Sequence, residues 1–190
     1  IQGTQGHVAY PDAADNPIHS ASAFLAEITS LEWDQGNASF PATTFQISNL
    51  NAGMGAENVI PGSLKLLFNF RYSTETTEEE LQAKVADILN KYSFNYNLEW
   101  KLSGLPFLTE SGKLVDATCN AIKEICGIET TCSTGGGTSD GRFIAPTGTE
   151  LIELGVINES IHKINECVKV DDLEKLSIIY HNILEQLLIE

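Results

Sequence analysis

Basic residues and long apolar runs are both scarce in this chain. It has 11 lysine and arginine residues against 26 aspartates and glutamates, a net charge of −15 over 190 residues. Proteins that bind phosphate backbones need clustered lysine and arginine, so the composition argues against a nucleic-acid partner. No apolar stretch approaches the roughly 20 residues that a membrane-spanning helix requires. Residues 1–4 also lack a basic stretch followed by an apolar one, so we expect a soluble chain with no membrane partner and no secretion signal.

Cysteine is also sparse, and its spacing excludes the common cysteine motifs. The chain has four cysteines and no Cys-x-x-Cys pair. In a chain of this size such cysteines are more typical of reduced, buried thiols than of a disulfide framework. We therefore expect inert thiols.

The first hundred residues predict the element order β-α-β-β-α-β. The predicted strands are residues 1–10, 43–49, 63–72 and 96–102, and the helices begin at Asn16-Pro17 and near Thr77. This order is that of a ferredoxin-like unit, an antiparallel sheet with two helices on one face. The apolar stripes that we expect to be buried are Ile18, Ala21, Leu25 and Ile28 on the first helix, and Leu81, Val85, Ile88 and Leu89 on the second.

Two local patterns in this part of the chain place particular side chains. Alternation along residues 63–72 directs Arg71 away from the packed face of its strand. Thr76 and Glu79 have the spacing of a capping box and predict the start of the second helix. The face of the sheet without helices is left for a partner or a ligand.

The segment Gly104-Leu105-Pro106 breaks this pattern and predicts a hinge between a domain of residues 1–105 and a domain of residues 106–190. The second domain should hold a helix carrying Leu114, Ala121 and Ile125, and short strands at 130–133 and 150–154. A final helix is capped by Asp171 and Glu174 and carries Leu173, Leu176, Tyr180 and Leu187. Two short strands make a poor sheet, so we expect an incomplete α/β domain that binds ligands at the carboxyl edge of its strands.

The loop at residues 133–142, Ser-Thr-Gly-Gly-Gly-Thr-Ser-Asp-Gly-Arg, has the most unusual local composition. Consecutive glycines allow backbone N–H groups to turn toward an anion. The loop has neither the lysine of a phosphate-binding loop nor the third glycine of a dinucleotide site. A carboxylate or a metal-bound oxyanion is the predicted ligand, and a flexible connection is the alternative.

Two histidines, His7 and His162, lie in predicted turns beside small or amide residues, which would present the imidazole to a ligand. A catalytic zinc takes three or more protein ligands, and His19 and His181 do not obviously converge with His162. A single histidine in such a place can also be structural. Arg71 is suited to bind a carboxylate through two parallel hydrogen bonds. The alternative interpretation is a solvent-exposed charge with no binding role.

Six short motifs, taken in order, resemble the bacterial succinyl-diaminopimelate desuccinylases of the zinc aminoacylase and carboxypeptidase family. They are residues 6–11, 16–17, 58–62, 68–71, 136–143 and 158–162. The string Gly-Gly-Thr-Ser-Asp-Gly-Arg-Phe at 136–143 is the specific one, because the patterns at 6–7 and 58–62 also occur in related deacylases. In this family a lid that forms the homodimer interrupts a two-metal catalytic domain. The resemblance therefore implies a lid at 1–105 and the C-terminal part of the catalytic domain at 106–190.

The resemblance also implies roles for individual residues. His7, delivered from the lid of the other subunit, would be catalytic and polarise the scissile amide carbonyl, and His162 would be the last ligand of a pair of zinc or cobalt ions. The residues implied to hold the substrate are Tyr10, Asn58, Arg71, Ser103, Gly137, Thr138 and Asn158. The implied reaction is hydrolysis of N-succinyl-LL-2,6-diaminopimelate to succinate and LL-diaminopimelate, in lysine and diaminopimelate biosynthesis in the bacterial cytoplasm.

The sequence departs from this family in one large respect. The family's first half, with its His-x-Asp motif and acidic ligands, has no counterpart here, so we expect the chain to be inactive alone. Glu57 stands where the family commonly has Thr or Asn, and its charge would oppose anion binding at Asn58. Two alternatives stay open: a related deacylase of the acetylornithine type, and a non-catalytic dimerisation or binding module that pairs through open sheet edges.

Overall fold

The computed structural model describes residues 1–189, and the chain divides into two compact units. The first unit is Ile1–Ser103 and the second begins at Gly104. Small antiparallel sheets and helices make up a mixed α+β structure, which confirms the predicted fold class.

Two helices and four strands form the first unit. They are β1 (Gly6–His7), α1 (Pro17–Ser30), β2 (Thr44–Ala52), β3 (Val59–Ile60), β4 (Leu64–Arg71) and α2 (Glu78–Leu89), with a short 3-10 turn at Pro11–Ala13. β2 pairs with β4 and β1 pairs with β3, both antiparallel. The predicted order recurs up to α2 with one addition, the short strand β3, which the sequence did not predict.

The two outer predicted strands are the main difference in this unit. Of residues 1–10, only Gly6–His7 form a strand, and residues 96–102 contain none. Instead, the Gln2 N–H donates to the Asn95 carbonyl at 2.8 Å, and Leu98 and Trp100 pack against the core. The alternating side chains of 96–102 thus contribute apolar packing without forming a ladder of hydrogen bonds.

One hydrophobic core lies between the helices and the β2–β4 sheet. Its buried residues are Phe24, Ile28, Phe45, Val85, Ile88, Leu89 and Phe94. Leu81, Val85, Ile88 and Leu89 are all buried, which confirms the predicted stripe of α2. On α1 the prediction of Ile18 was wrong: it is 42% exposed, and the buried face runs through Pro17, Ala21, Phe24 and Ile28. That spacing of four, three and four residues follows the helical period, and Ile18 lies one position around the helix from it.

Side-chain caps begin both helices of the first unit. The Asn16 side chain accepts from the Ile18 N–H at 3.0 Å at the start of α1. At α2 the capping box consists of Thr77 and Glu80, one residue later than the predicted Thr76 and Glu79. Thr77 Oγ1 accepts from the Glu80 N–H at 3.2 Å, and the Glu80 carboxylate accepts from the Thr77 N–H at 3.0 Å.

The second unit contains α3 (Lys113–Cys126), α4 (Gly141–Ile144), a 3-10 turn (Ala145–Thr147) and α5 (Val170–Leu188). α3 and α5 pack around a small core of Ala117, Ala121, Ile179 and Ile183. The helix at α3 is as predicted. The strands predicted at 130–133 and 150–154 do not occur.

The final helix is confirmed as α5, but its predicted cap was wrong. Leu173, Tyr180 and Leu187 are exposed, because the face turned toward α3 carries the two isoleucines of the core. The residue before the helix is Lys169, which makes no side-chain cap bond, and the acidic side chains lie within the first turn. In the described part of the chain, no helix combines the length and apolarity needed to cross a membrane.

Candidate functional site

His7 lies where two short strands pair. It stands opposite Val59 in the β1–β3 ladder, and the Val8 N–H extends the pairing by donating to the Asn58 carbonyl at 3.1 Å. The chain then turns, with the Tyr10 N–H donating to the His7 carbonyl at 2.9 Å. The structure thus brings together three of the residues implied by the resemblance: His7, Tyr10 and Asn58.

The imidazole of His7 has a defined orientation. Its Nδ1 accepts a hydrogen bond from the Ala9 N–H at 3.1 Å. In a neutral imidazole the accepting nitrogen carries no proton, so Nε2 holds the proton and is the donor. His7 is exposed, and the ring of Tyr10, itself 70% exposed, lies 5.8 Å from it. This arrangement offers an N–H donor to a ligand, as polarisation of a carbonyl requires.

Arg71 and Ser103 lie elsewhere in the first unit. Arg71 ends β4 opposite Thr44, in the β2–β4 sheet and not in the sheet of His7. It is exposed, while Phe70 beside it packs against the core, so the guanidinium lies on the outer face as the alternation predicts. Ser103 is exposed and lies outside any helix or strand.

In the second unit, a glutamate anchors the loop of residues 133–142, here called the Gly-rich loop. Glu153 Oε1 accepts from both the N–H and the hydroxyl of Ser139, at 3.1 and 2.8 Å. A Cβ added to Gly141 would lie 2.7 Å from the same oxygen, so this glycine is required for close packing against the carboxylate. Sequence reasoning missed Glu153, because residues 150–154 read as a strand and not as a source of loop contacts.

The predicted contact residues of this loop, Gly137 and Thr138, are exposed. No protein atom of residues 1–189 accepts a hydrogen bond from either backbone N–H, whereas Ser139 is already bonded to Glu153 and the Gly135 N–H donates to Ser133 Oγ at 3.0 Å. The part of the loop that can bind an anion through its N–H groups is therefore limited to its middle.

A second glutamate stabilises the helix that precedes the loop. Glu150 Oε2 accepts from the Leu114 N–H at 3.1 Å at the start of α3. A carboxylate at a helix N-terminus is favoured by the macrodipole and by the free N–H groups there. Gly112 makes room for it, because a Cβ at that position would meet the Glu150 carboxyl carbon at 3.0 Å.

His162 lies in a series of tight turns held by side chains. Its φ of 58° is in the left-handed region, and its N–H donates to Glu166 Oε2 at 3.2 Å. The Ser160 hydroxyl closes the segment, donating to the Cys167 carbonyl at 2.8 Å and accepting from the Cys167 N–H at 3.0 Å. A non-glycine residue in this conformation costs about 1–3 kcal/mol, and such residues cluster at functional sites. The turn that exposes the imidazole is thus strained, and side-chain hydrogen bonds from Ser160 and Glu166 hold it in place.

Asn158 begins this turn, where its carbonyl accepts from the Ile161 N–H at 3.0 Å. Across residues 1–189, no group of three or more His, Cys, Asp or Glu side chains is placed to hold a metal ion. Since a zinc site needs at least three protein ligands, the described residues do not fit a complete metal centre. The role of His162 as a metal ligand therefore stays a prediction.

The first unit matches a known domain family. Residues 1–97, just over half of the chain, match the family model of the M20 peptidase dimerisation domain. The chain belongs to this family. Of the predicted site residues, His7, Tyr10, Asn58 and Arg71 lie within the matched region, and their roles stay predictions. The Gly-rich loop and the His162 turn lie beyond the matched region.

Solved peptidase structures resemble the whole chain in fold. An aminopeptidase PepT from Bacillus cereus is 20% identical, with a TM-score of 0.61 over 98% of this chain and 49% of its own. A tripeptidase from Staphylococcus aureus is 19% identical, with a TM-score of 0.64 over 97% of this chain and 48% of its own. An M20 family metallo-carboxypeptidase from Sulfolobus solfataricus is 15% identical, with a TM-score of 0.63 over 98% of this chain and 59% of its own. This chain thus spans roughly half the length of these structures. At such low sequence identity, the likeness shows the fold alone.

Proposed function

We propose that this chain is the lid and the C-terminal catalytic part of a metal-dependent amide hydrolase. Its substrate would be N-succinyl-LL-2,6-diaminopimelate, and its products succinate and LL-diaminopimelate, in the bacterial cytoplasm. The observation that carries the proposal is the orientation of His7, whose Nδ1 is occupied by the Ala9 N–H and whose Nε2–H is exposed, within a peptidase dimerisation domain.

His7 is the catalytic residue in this proposal. As charge develops on the oxygen of the scissile amide, the Nε2–H donates a hydrogen bond to it, and a donor already in place loses little in reorganisation. Tyr10 and Asn58 adjoin His7 and would contact the same part of the substrate. In this proposal, the group reaches the active site of the other subunit of the homodimer.

The proposed substrate carries three carboxylates, which explains the remaining assignments. Arg71 is the one arginine of residues 1–103, and it is exposed in a strongly acidic protein. Arginine grips carboxylates with two parallel hydrogen bonds. The N–H groups of Gly137 and Thr138, which donate to no atom of residues 1–189, are further donors for an anion. Ser103 and Asn158 complete the proposed substrate contacts.

The geometry of the first unit supports a homodimer. β2 and β4 form a two-stranded sheet, and within residues 1–189 neither strand has a second strand partner. Open edges of this kind favour pairing with another chain. Leu50 and Leu67 on these strands are each nearly half exposed, at 47% and 46%.

The surface of the second unit supports the need for a further polypeptide. Large apolar side chains there are strongly exposed, among them Phe143 at 65%, Ile164 at 94% and Leu188 at 75%. The N-terminal half of the catalytic domain would cover part of this surface and bring the metal ligands that accompany His162. In the complete enzyme the two zinc or cobalt ions would supply Lewis acidity and a metal-bound water.

The decisive experiment compares substrates. The complete enzyme, containing this chain and the N-terminal half, should release succinate from the succinylated diamino acid faster than it deacylates N-acetylornithine or cleaves a tripeptide. This chain alone with added zinc should be inactive. Preference for the acetyl substrate would select the acetylornithine-type deacylase, and hydrolysis by the chain alone would refute the need for a second half.

A variant pair separates catalysis from mere dimerisation. His7→Ala in the complete enzyme should lower kcat by about a hundred- to a thousand-fold, the usual loss for one oxyanion donor. His19→Ala is the matched control, because His19 is also exposed in the first unit but lies on α1. Equal activity of both variants would favour the non-catalytic binding module, and a strictly monomeric species in sedimentation at high concentration would contradict the homodimer.

A further inference from the structure

Glu153 is bonded to the Gly-rich loop through a single carboxylate oxygen. Its Oε1 accepts from the Ser139 N–H at 3.1 Å and from the Ser139 hydroxyl at 2.8 Å. The Gly141 N–H in turn donates to Ser139 Oγ at 3.4 Å, so the hydroxyl links the carboxylate to the start of α4. Glu153 thus fixes the C-terminal part of the loop.

The middle of the loop lies between two side-chain contacts. On the N-terminal side, the Gly135 N–H donates to Ser133 Oγ at 3.0 Å. On the C-terminal side is the pair of bonds to Glu153. The N–H groups of Gly137 and Thr138, between these contacts, are the ones that donate to no atom of residues 1–189. The loop is therefore held at both ends and keeps its free donors in the middle.

The residue that holds the loop is acidic, although the ligand expected at the loop is an anion. Two like charges at short distance repel each other, so a carboxylate here opposes the binding of an anion. Its hydrogen bonds offer a reason for its presence. A carboxylate oxygen can accept two donors at once, and bonds to an ionised acceptor are stronger than neutral ones.

We propose that Glu153 is a positioning residue for the substrate. It holds the Gly-rich loop so that the N–H groups of Gly137 and Thr138 are in place before a carboxylate of the substrate binds. This inference rests on the proposed function, which assigns a substrate carboxylate to these two N–H groups. A loop that is ordered in advance does not have to be ordered by the ligand, so binding is tighter. The position of Oε1 matters here, and its charge does not help.

Two substitutions of Glu153 in the complete enzyme separate position from charge. Glu153→Ala removes both hydrogen bonds and should raise KM about tenfold with kcat changed less than about twofold, because only about a tenth of the loop would remain in the binding conformation. Glu153→Gln keeps an oxygen that can accept both bonds and removes the charge. Its KM should equal that of wild type or be lower, since the repulsion is gone.

Glu150→Ala is the matched control. Glu150 precedes Glu153 in the same segment, but its carboxylate accepts from the Leu114 N–H at the start of α3. The substitution should lower the stability of the second unit and leave KM unchanged.

A cysteine beside the loop provides a second control. Cys132 and Cys167 are both exposed, so the expectation of buried, inert thiols was wrong for these two. Cys132→Ser changes an exposed side chain directly before the loop and should also leave KM unchanged.

A binding measurement on this chain keeps the inference separate from the proposed function. In an NMR titration of the isotope-labelled chain, succinate should shift the amide resonances of Gly137 and Thr138. Glu153→Ala should weaken this binding about tenfold, and Glu153→Gln should not weaken it. If the complete enzyme does not hydrolyse the succinylated diamino acid, the proposed function is refuted, while the titration still tests the role of Glu153.

Any of three results would overturn the inference. The first is an unchanged KM in Glu153→Ala. The second is an equal rise in KM for Glu153→Ala and Glu153→Gln, which would mean that the charge is required. The third is the absence of any succinate-dependent shift at Gly137 and Thr138 in the unsubstituted chain.

Discussion

Replacing Ile28 with alanine tests the position of the core in the first unit. Ile28 has no exposed surface and lies in the core cluster with Phe24 and Val85. Truncation of a buried isoleucine to alanine costs about 2–5 kcal/mol, through lost transfer free energy and the cavity left behind. A domain of this size is stable by about 5–15 kcal/mol, so the loss is a large share of the total.

The matched control is Ile18→Ala on the same helix. Ile18 is 42% exposed, although the sequence pattern places it on the buried stripe. Both substitutions change the intrinsic helix propensity equally, so their difference reports burial alone. We expect Ile18→Ala to change the free energy of unfolding by at most about 0.5 kcal/mol.

Urea denaturation followed by tryptophan fluorescence is a suitable assay. The two tryptophans, Trp33 and Trp100, both lie in the first unit and pack against its core, so the signal reports this unit. With a slope of about 1–3 kcal/mol per molar urea, Ile28→Ala should lower the midpoint by about 1–3 M. An equal shift for the two variants would refute the reasoning, since it would mean that the Ile18 face is buried.

Three further predictions concern local interactions. Thr77→Ala should lower the stability of the first unit by about 1 kcal/mol in the same assay, and Thr76→Ala by clearly less, because Thr77 is the cap of α2. A larger loss for Thr76→Ala would instead support the capping box predicted from the sequence. Burial raises the pKa of Asp34, but hydrogen bonds from Thr43, Gly36 and Ser73 outweigh it and lower the pKa overall. The stabilisation by Asp34 should therefore be complete above about pH 4 and be lost as the pH falls below it. The free energies of unfolding of wild type and Asp34→Asn should converge in acid, and a difference between them that grows as the pH falls would contradict this. Gly112→Ala should displace the Glu150 carboxylate that caps α3 and lower the free energy of unfolding by about 1 kcal/mol, measured by far-ultraviolet circular dichroism. The control is Gly155→Ala, whose added Cβ meets nothing within 4 Å, and equal stability of the two variants would mean that the cap contributes nothing.

The helices could be predicted from the sequence because their signals are local. The stripe of α2 is the buried face, and Asn16-Pro17 marks the start of α1. Errors of one position, such as Ile18 and the pair Thr76 and Glu79, arise because neighbouring residues satisfy the pattern almost equally well. The tertiary core selects between them.

Strands were predicted less well, because a strand exists only where another strand accepts its hydrogen bonds. Residues 96–102 alternate like a strand, but they form no ladder with a partner, and only Leu98 and Trp100 pack against the core. The segments 130–133 and 150–154 lack a neighbouring strand within the described residues in the same way. Alternation shows which side chains prefer burial and says nothing about the partner.

Residue identity and short-range spacing are enough to predict the motifs, the acidic charge and the order of the helices. Which nitrogen of His7 accepts a hydrogen bond depends on the folded turn that brings the Ala9 N–H to Nδ1. The fold also sets the contact between Glu153 and Ser139 of the Gly-rich loop. These contacts join residues that are separated along the chain or depend on the exact turn of the backbone. No sequence pattern predicts them, because hydrogen bonds depend on distances that are set only when the chain folds.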